Sequence, residues 1–578
     1  MNDLVIRDAL VVDGTGAPPR AADVAAADGR ITEVGTVSGR ARRTVDAGGA
    51  ALTPGFVDVH THYDGQATWD PVLAPSSLHG VTTAVMGNCG VGFAPAQPHR
   101  RDWLIGLMEG VEDIPGSALA EGIAWEWESF PEFLDALGRR AFTMDLGTQV
   151  PHGAVRAYVM GERGARNEPA DAADIAAMKA IVKEGVAAGA LGFSTSRTLT
   201  HKAIDGEYVP GTFAAEDELF GIGEALRELG RGVYELAPAG AAGEDVNAPA
   251  QEVAWMRRLS KAIGRPVSFA LLQIDAVPEL WRELLEMSAS DAEAMLFPQV
   301  ASRPFGMLIC LDSLHAFGDH PSYVEMALLP RAERVARMRD PEMKARILAE
   351  RPEQEDILAA MVRGFPERLF PLAERNPDYE PHPDTSVAAR AAASGRDPME
   401  LLYDELLEDD GRNVLMMPLL NYSDFNLDAQ REMLTHPRAV LGLGDGGAHC
   451  GFICDASLPT TMLSHWARDR SRGERLPVEH VVRMMTRDTA RLYGLADRGV
   501  IAPGMRADLN LIDLDTVALR RPEVRYDLPA GGRRIVQRAD GYLATFVRGV
   551  QTFADGEPTG ELPGRLVRGG LAGRGGRS

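Results

Sequence analysis

Short apolar runs mark both ends of the chain. Leu4-Val5-Ile6 and Ala9-Leu10-Val11-Val12 read as strands, with Asp13-Gly14 turning after them. Asp28-Gly29-Arg30 turns into a further strand, Ile31-Thr32-Glu33-Val34. The same style returns near the other end. Pro503-Gly504-Met505-Arg506-Ala507-Asp508 leads into Leu509-Asn510-Leu511-Ile512-Asp513, and residues 544–550 form another strand. Isolated short strands need partners, so the two ends are expected to pair in one composite β-sandwich, residues 1–54 with 497–560.

Between the ends, strand-like runs alternate with helical ones. Val81–Met86 is a strand pattern, and Asp171–Ala188 is helical with Ile175, Met178, Ile181 and Val182 on one face. Leu191–Ser194 ends a strand. A second helix, Asp217–Leu229, precedes the runs Gly232–Leu236 and Pro266–Leu272. Such alternation predicts parallel βα units. Two segments read as additions: 95–135, with Trp103, Trp125 and Trp127 among acids, and 322–412, charged and helical with Pro341, Pro352, Pro366 and Pro371 as breaks. The tail, 561–578, is rich in Gly and Arg and is expected to be flexible.

Chemistry enters at Gly55-Phe56-Val57-Asp58-Val59-His60-Thr61-His62. Strand side chains alternate faces, so His60 and His62 point the same way and can reach one cation. Asp64 follows closely. Far downstream, Leu441-Gly442-Leu443-Gly444-Asp445-Gly446 is another short apolar run ending in an acid. A metal motif at a strand end within many βα units predicts an α/β fold, a (β/α)8 barrel over residues 55–496 whose site lies at the C-terminal face of the strands.

Composition narrows the partners. The chain has 578 residues, 60 Lys and Arg against 83 Asp and Glu, and a net charge of −23. That acidity disfavours nucleic acid and anionic membranes and leaves a small-molecule substrate as the expected partner, with a homo-oligomer compatible. Four cysteines make no disulfide framework. The start lacks a secretory signal, and no apolar run reaches the ~18 residues of a membrane span. A cytoplasmic location is expected.

The His60/His62 pair, the Asp445 run and the phrase Pro503–Leu509 resemble the amidohydrolase superfamily, and the nearest branch is the N-acyl-D-amino-acid deacylases (D-aminoacylases). The resemblance implies a metal-dependent hydrolase of a C–N bond. Cys89, in Gly87-Asn88-Cys89-Gly90, matches the metal-binding cysteine of that branch, and a thiolate suits zinc. His60, His62, Cys89 and Asp445 are therefore the expected metal residues, with Asp445 as general base. The resemblance also implies a histidine after the fifth strand and another after the sixth. Ala237 and Leu271 stand there instead. The expectation is one zinc ion per chain, on His60, His62 and Asp445; the alternative is that Glu235, His201 or Gln273 fills the gap, and Glu235 and Gln273 are otherwise expected to face the substrate. Gly189–Ser196 resembles the substrate-lining segment, so Ser194 and the following Arg197 and His201 are expected at the substrate wall, with Arg197 holding a carboxylate and His201 a carbonyl or the metal; His152, which ends the apolar run Gln149–Pro151, is expected to support them. Two alternatives stay open: a single-metal lyase on the same barrel, such as a retro-aldolase, and a degenerate barrel that only binds a small molecule.

Overall fold

The computed structural model describes residues 1–569. Its central strands are β1 (Phe56–Asp58), β2 (Val81–Met86), β3 (Asp145–Thr148, continued by Val150–Pro151), β4 (Gly192–Ser196), β5 (Val233–Ala237), β6 (Val267–Ala270), β7 (Leu296–Val300) and β8 (Val440–Leu441). All pair in parallel. β1, β2 and β3 form one ladder, and the β3 extension begins a second that runs in order through β8. Helices cover them, so β2 and β5 are buried along their whole length. Parallel strands carry apolar runs for this reason. The helix expected from Asp171 starts at Ala172, with Asp171 capping it through a reciprocal bond with Asp174.

Beyond the strand ends, the chain after β1 meets the chain after β8. Thr61 and Gly446 form a parallel bridge, and the His62 amide donates to the Gly446 carbonyl at 2.8 Å. This contact brings the two sequence motifs together.

The termini share a nine-stranded sheet, in which Ala51–Pro54 pairs antiparallel with Leu509–Ile512. The C-terminal segment does not all join it. Residues 518–540 leave to form two small ladders, and Leu519 and Ile535 pack on Leu308, Cys310 and Met416 of the large insertion.

That insertion is wider than residues 322–412. It begins at the strand Phe305–Ile309 and ends at Leu415–Leu420, because these two strands pair antiparallel with each other rather than with the central ladder. Met307, Ile309, Phe317, Leu402 and Leu415 give it a core of its own. The earlier insertion, between β2 and β3, carries helix α1 (Arg101–Glu112).

The expectation of a flexible tail from residue 561 does not hold for 561–569. Gly564 and Phe142 exchange backbone hydrogen bonds, and the Val567 amide donates to Leu146. Residues 570–578 lie outside the described residues.

Candidate metal centre and active site

His60 and His62 project from the chain just past β1, with ring centroids 5.4 Å apart. Their Nε2 atoms converge on one oxygen. Asp445 Oδ1 lies 3.4 Å from His60 Nε2 and 3.6 Å from His62 Nε2. Cys89 Sγ lies 3.4 Å from His60 Nε2, and ligand atoms of His60, His62 and Cys89 all fall within 4.8 Å of one another. Ligands about 2.0–2.3 Å from one tetrahedral zinc ion lie roughly 3.3–3.7 Å from each other. The spacings of Cys89 from His60 and of Asp445 from both histidines match that, and the triad is close enough for its three ligand atoms to share one divalent ion.

The tautomer of His60 follows from its neighbours. Ser268 Oγ donates to the Phe297 carbonyl, so it accepts from Gln299 Nε2. Gln299 Oε1 is then left facing His60 Nδ1 at 2.8 Å and can only accept. Nδ1 carries the proton, and the Nε2 lone pair is free for a cation.

Cys89 sits in a tight turn that needs glycine on both sides. Cys89 itself has φ +53°, in the left-handed region. Gly87, at φ +76°, has the Gln149 carbonyl 2.6 Å from where a Cβ would stand, and Gly90, at φ +69°, has the Ser196 amide at 2.9 Å. Three side chains hold the turn. Asp64 accepts from the Gly87 amide at 3.1 Å, Ser194 accepts from the Gly90 amide at 3.1 Å, and Glu235 Oε2 accepts from the Cys89 amide at 3.1 Å. A strained backbone so tightly held is a mark of a functional position.

Burial governs the ionisation of the group. It pushes the Cys89 thiol well up, with Glu235, Glu112 and Asp445 adding repulsion. It lifts Glu235 to about 7 against the attraction of His60, and lowers His62 to about 4. For Asp445, burial opposes ionisation, but attraction from the neighbouring imidazoles of His62, His60 and His449 outweighs it. Its carboxyl is held well below the usual range.

Ser194, Glu235 and His201 belong to this region. The His201 Nδ1 is 2.9 Å from Ser196 Oγ, and burial with repulsion from His449 and His62 lowers its pKa to about 3. Arg197 is turned elsewhere. Its Nε donates to both Glu252 oxygens, at 3.1 and 2.9 Å, and its Nη1 to the Ala214 carbonyl. His152 bonds Thr195 and Glu218 behind β4. The cause is strand parity. Ser194 and Ser196 face the centre, whereas Phe193, Thr195 and Arg197 face the helices. Gln273 is spent on the 421–424 loop, accepting from the Ser423 amide and donating to Asp424. Arg197, expected at the substrate wall, His152, expected to support it, and Gln273, expected as a substitute ligand or substrate contact, are bonded elsewhere in this structure. Ala237 and Leu271 are buried core residues.

Two groups at the centre escaped the sequence reading. Gln299 lies near the end of the apolar strand β7, Leu296–Val300, and its position was a usable signal. Glu112 ends α1, 3.2 Å from His62 Nδ1, and nothing near it in sequence announces that. A separate cleft of about 710 Å³, lined by Arg331, Arg412, Arg520 and Arg521, shares none of these residues. Each of those arginines is paired with Asp312, Asp409 or Asp540.

An α/β fold that gathers imidazoles, a thiol and a carboxylate beyond the ends of its parallel strands has the build of a metal-dependent hydrolase. Residues 43–558 match the Amidohydrolase family, and the chain belongs to it, in the D-aminoacylase branch. It is 28% identical to the D-aminoacylase of Alcaligenes xylosoxydans xylosoxydans, over 98% of this chain and 97% of the relative. It is 27% identical to an N-acyl-D-aspartate deacylase from the same organism, over 99% and 96%. Among solved structures, a D-aminoacylase superposes with a TM-score of 0.66 at 24% identity, covering 98% of this chain and all of that one. An N-acyl-D-glutamate deacylase from Bordetella bronchiseptica, complexed with zinc and a phosphonate inhibitor, gives 0.60 at 22% identity, covering 98% and 99%. Among the described residues no helix is long and apolar enough to cross a membrane.

Proposed function

We propose that this chain hydrolyses the amide bond of an N-acyl amino acid, of D configuration by analogy with its relatives, using one zinc ion held by His60, His62 and Cys89. The observation that carries the reading is the convergence of both Nε2 atoms and Cys89 Sγ with Asp445 Oδ1. When bound, the metal would polarise the acyl carbonyl and acidify water. Asp445, ionised, takes the proton of the attacking water and returns it to the leaving nitrogen. Neutral His201, with Nδ1 on Ser196, offers its other ring nitrogen to the substrate carbonyl. Glu235 keeps Cys89 in place.

The count of one follows from Ala237 and Leu271, which offer no ligand atom. A closed eight-stranded barrel is part of the same reading. Its support is the strand order β1 to β8 and the Thr61–Gly446 bridge between the first and last.

The test is a screen of N-acetyl-D- and N-acetyl-L-amino acids with zinc-loaded protein, reading released amine beside zinc per chain. Amine release from the D series, at about one zinc per chain, is the expected result. No amine from any acyl amino acid by a zinc-loaded chain would sink it.

A further inference from the structure

Helix α1 belongs to the segment inserted between β2 and β3, yet its last residue reaches the centre. Glu112 is 2% exposed. Its Oε1 lies 3.2 Å from His62 Nδ1, and its Oε2 lies 3.9 Å from His449 Nε2, on the loop that follows Asp445. The His449 amide donates to the Glu112 carbonyl, and His449 holds φ +52° there.

His62 Nδ1 and Glu112 Oε1 are both buried, and neither has an aligned hydrogen-bond partner. Buried polar atoms in folded proteins are nearly always paired. These two lie 3.2 Å apart, within hydrogen-bond reach of each other. His60 already has Gln299 on its Nδ1. His62 has Glu112 in the equivalent place. The contact is on the Nδ1 side of the ring, away from the Nε2 convergence, so Glu112 stands behind the ligand rather than among the ligands.

We infer that Glu112 is a positioning residue: its carboxylate holds His62 with Nδ1 protonated and Nε2 aimed at the metal, and so ties metal loading to the inserted helix. This rests on the metal-hydrolase reading above. A metal-bound histidine normally donates its second N–H to a carboxylate or carbonyl, and losing that partner typically weakens metal binding about 10–100-fold. The neighbour Asp113 makes a useful control. It accepts from the Gly451 amide at 2.7 Å, tethering the same loop to the same helix without touching His62.

The experiment titrates the metal-free full chain with Zn²⁺ alone against a chromophoric chelator. Glu112→Met, which keeps much of the volume but offers no acceptor, should weaken zinc binding about 10–100-fold, and Asp113→Ala, which removes the acceptor of the Gly451 amide, should leave it within about twofold. Nitrogen-15 spectra of labelled histidine should report His62 protonated on Nδ1 in the parent and a tautomer mixture in Glu112→Met. If Glu112→Ala unfolds, Glu112→Met decides, since it fills the space. Wild-type affinity with an unchanged His62 tautomer in Glu112→Met overturns the inference. Equal loss in Asp113→Ala also overturns it, because loop tethering would then suffice. A parent chain that binds no zinc would instead defeat the metal-hydrolase reading itself.

Discussion

His60 and Asp445 meet through both backbone and side chain. The Asp445 amide donates to the His60 carbonyl at 3.0 Å, and Asp445 Oδ1 lies 3.4 Å from His60 Nε2. The backbone bond fixes the carboxylate against the imidazole, so residues 385 positions apart in sequence act as one unit. Asp445→Asn keeps the shape and loses the basicity. Turnover should fall about 10²–10⁴-fold, the usual range for a general base. Zinc content measured on the same sample separates loss of the base from loss of metal. A variant with full activity and full zinc would remove Asp445 from the mechanism.

Much of the centre was legible because it is written in strand ends. The His60/His62 pair and Cys89 follow β1 and β2, and Asp445 follows β8 closely. Parity marks the line between what was read well and what was not. Ser194 and Arg197 are three residues apart, so a strand must send them to opposite faces, and the Glu252 partner of Arg197 confirms the outward one. Glu112 was illegible for a different reason. It is brought to the site by the docking of an inserted helix, and tertiary packing of that kind leaves no local periodicity to read. The large insertion was found by its charge and prolines, but its bounding strands were not separable from ladder strands by pattern alone.

Metal binding should release a proton from Cys89. Burial and three nearby carboxylates keep its thiol neutral in the metal-free chain, whereas a zinc ligand must be a thiolate. Zinc affinity should therefore rise with pH. Calorimetric titration in buffers of different ionisation enthalpy counts the protons released. Cys89→Ala should reduce the count by about one and weaken zinc binding, as loss of a ligand requires. An unchanged proton count would exclude Cys89 as a ligand.

Arg197→Ala should destabilise the chain and leave KM nearly unaltered. The guanidinium is largely buried against Glu252 and lies over the Trp255 ring, 5.6 Å from its centroid. Removing it strands a carboxylate that is 5% exposed, with a penalty of about 1–3 kcal/mol. Thermal unfolding and steady-state kinetics on one preparation give both readings. A tenfold rise in KM with an unchanged melting temperature would restore Arg197 to the substrate wall.

Acid should destabilise the chain through histidines remote from the metal. His79 is fully buried, with Nε2 2.9 Å from the Gln537 carbonyl and Nδ1 2.8 Å from Thr460 Oγ1. The carbonyl fixes the proton on Nε2, so Nδ1 accepts from Thr460. Burial, helped by repulsion from Arg303, lowers its pKa from 6.5 to about 4. The unfolded chain takes up that proton near 6.5 and the folded chain does not. The stability in question is thus complete above pH 6.5 and is lost as pH falls toward about 4. A shift of that size is worth roughly 3 kcal/mol over the window. His79→Gln keeps polar atoms at the site and cannot titrate there. It should be less stable than the parent at pH 7, and the gap should shrink by roughly 3 kcal/mol as pH falls through the window. Denaturant unfolding followed at half-unit steps of pH measures the gap. A difference that stays constant across the window would mean that His79 is not the group responsible.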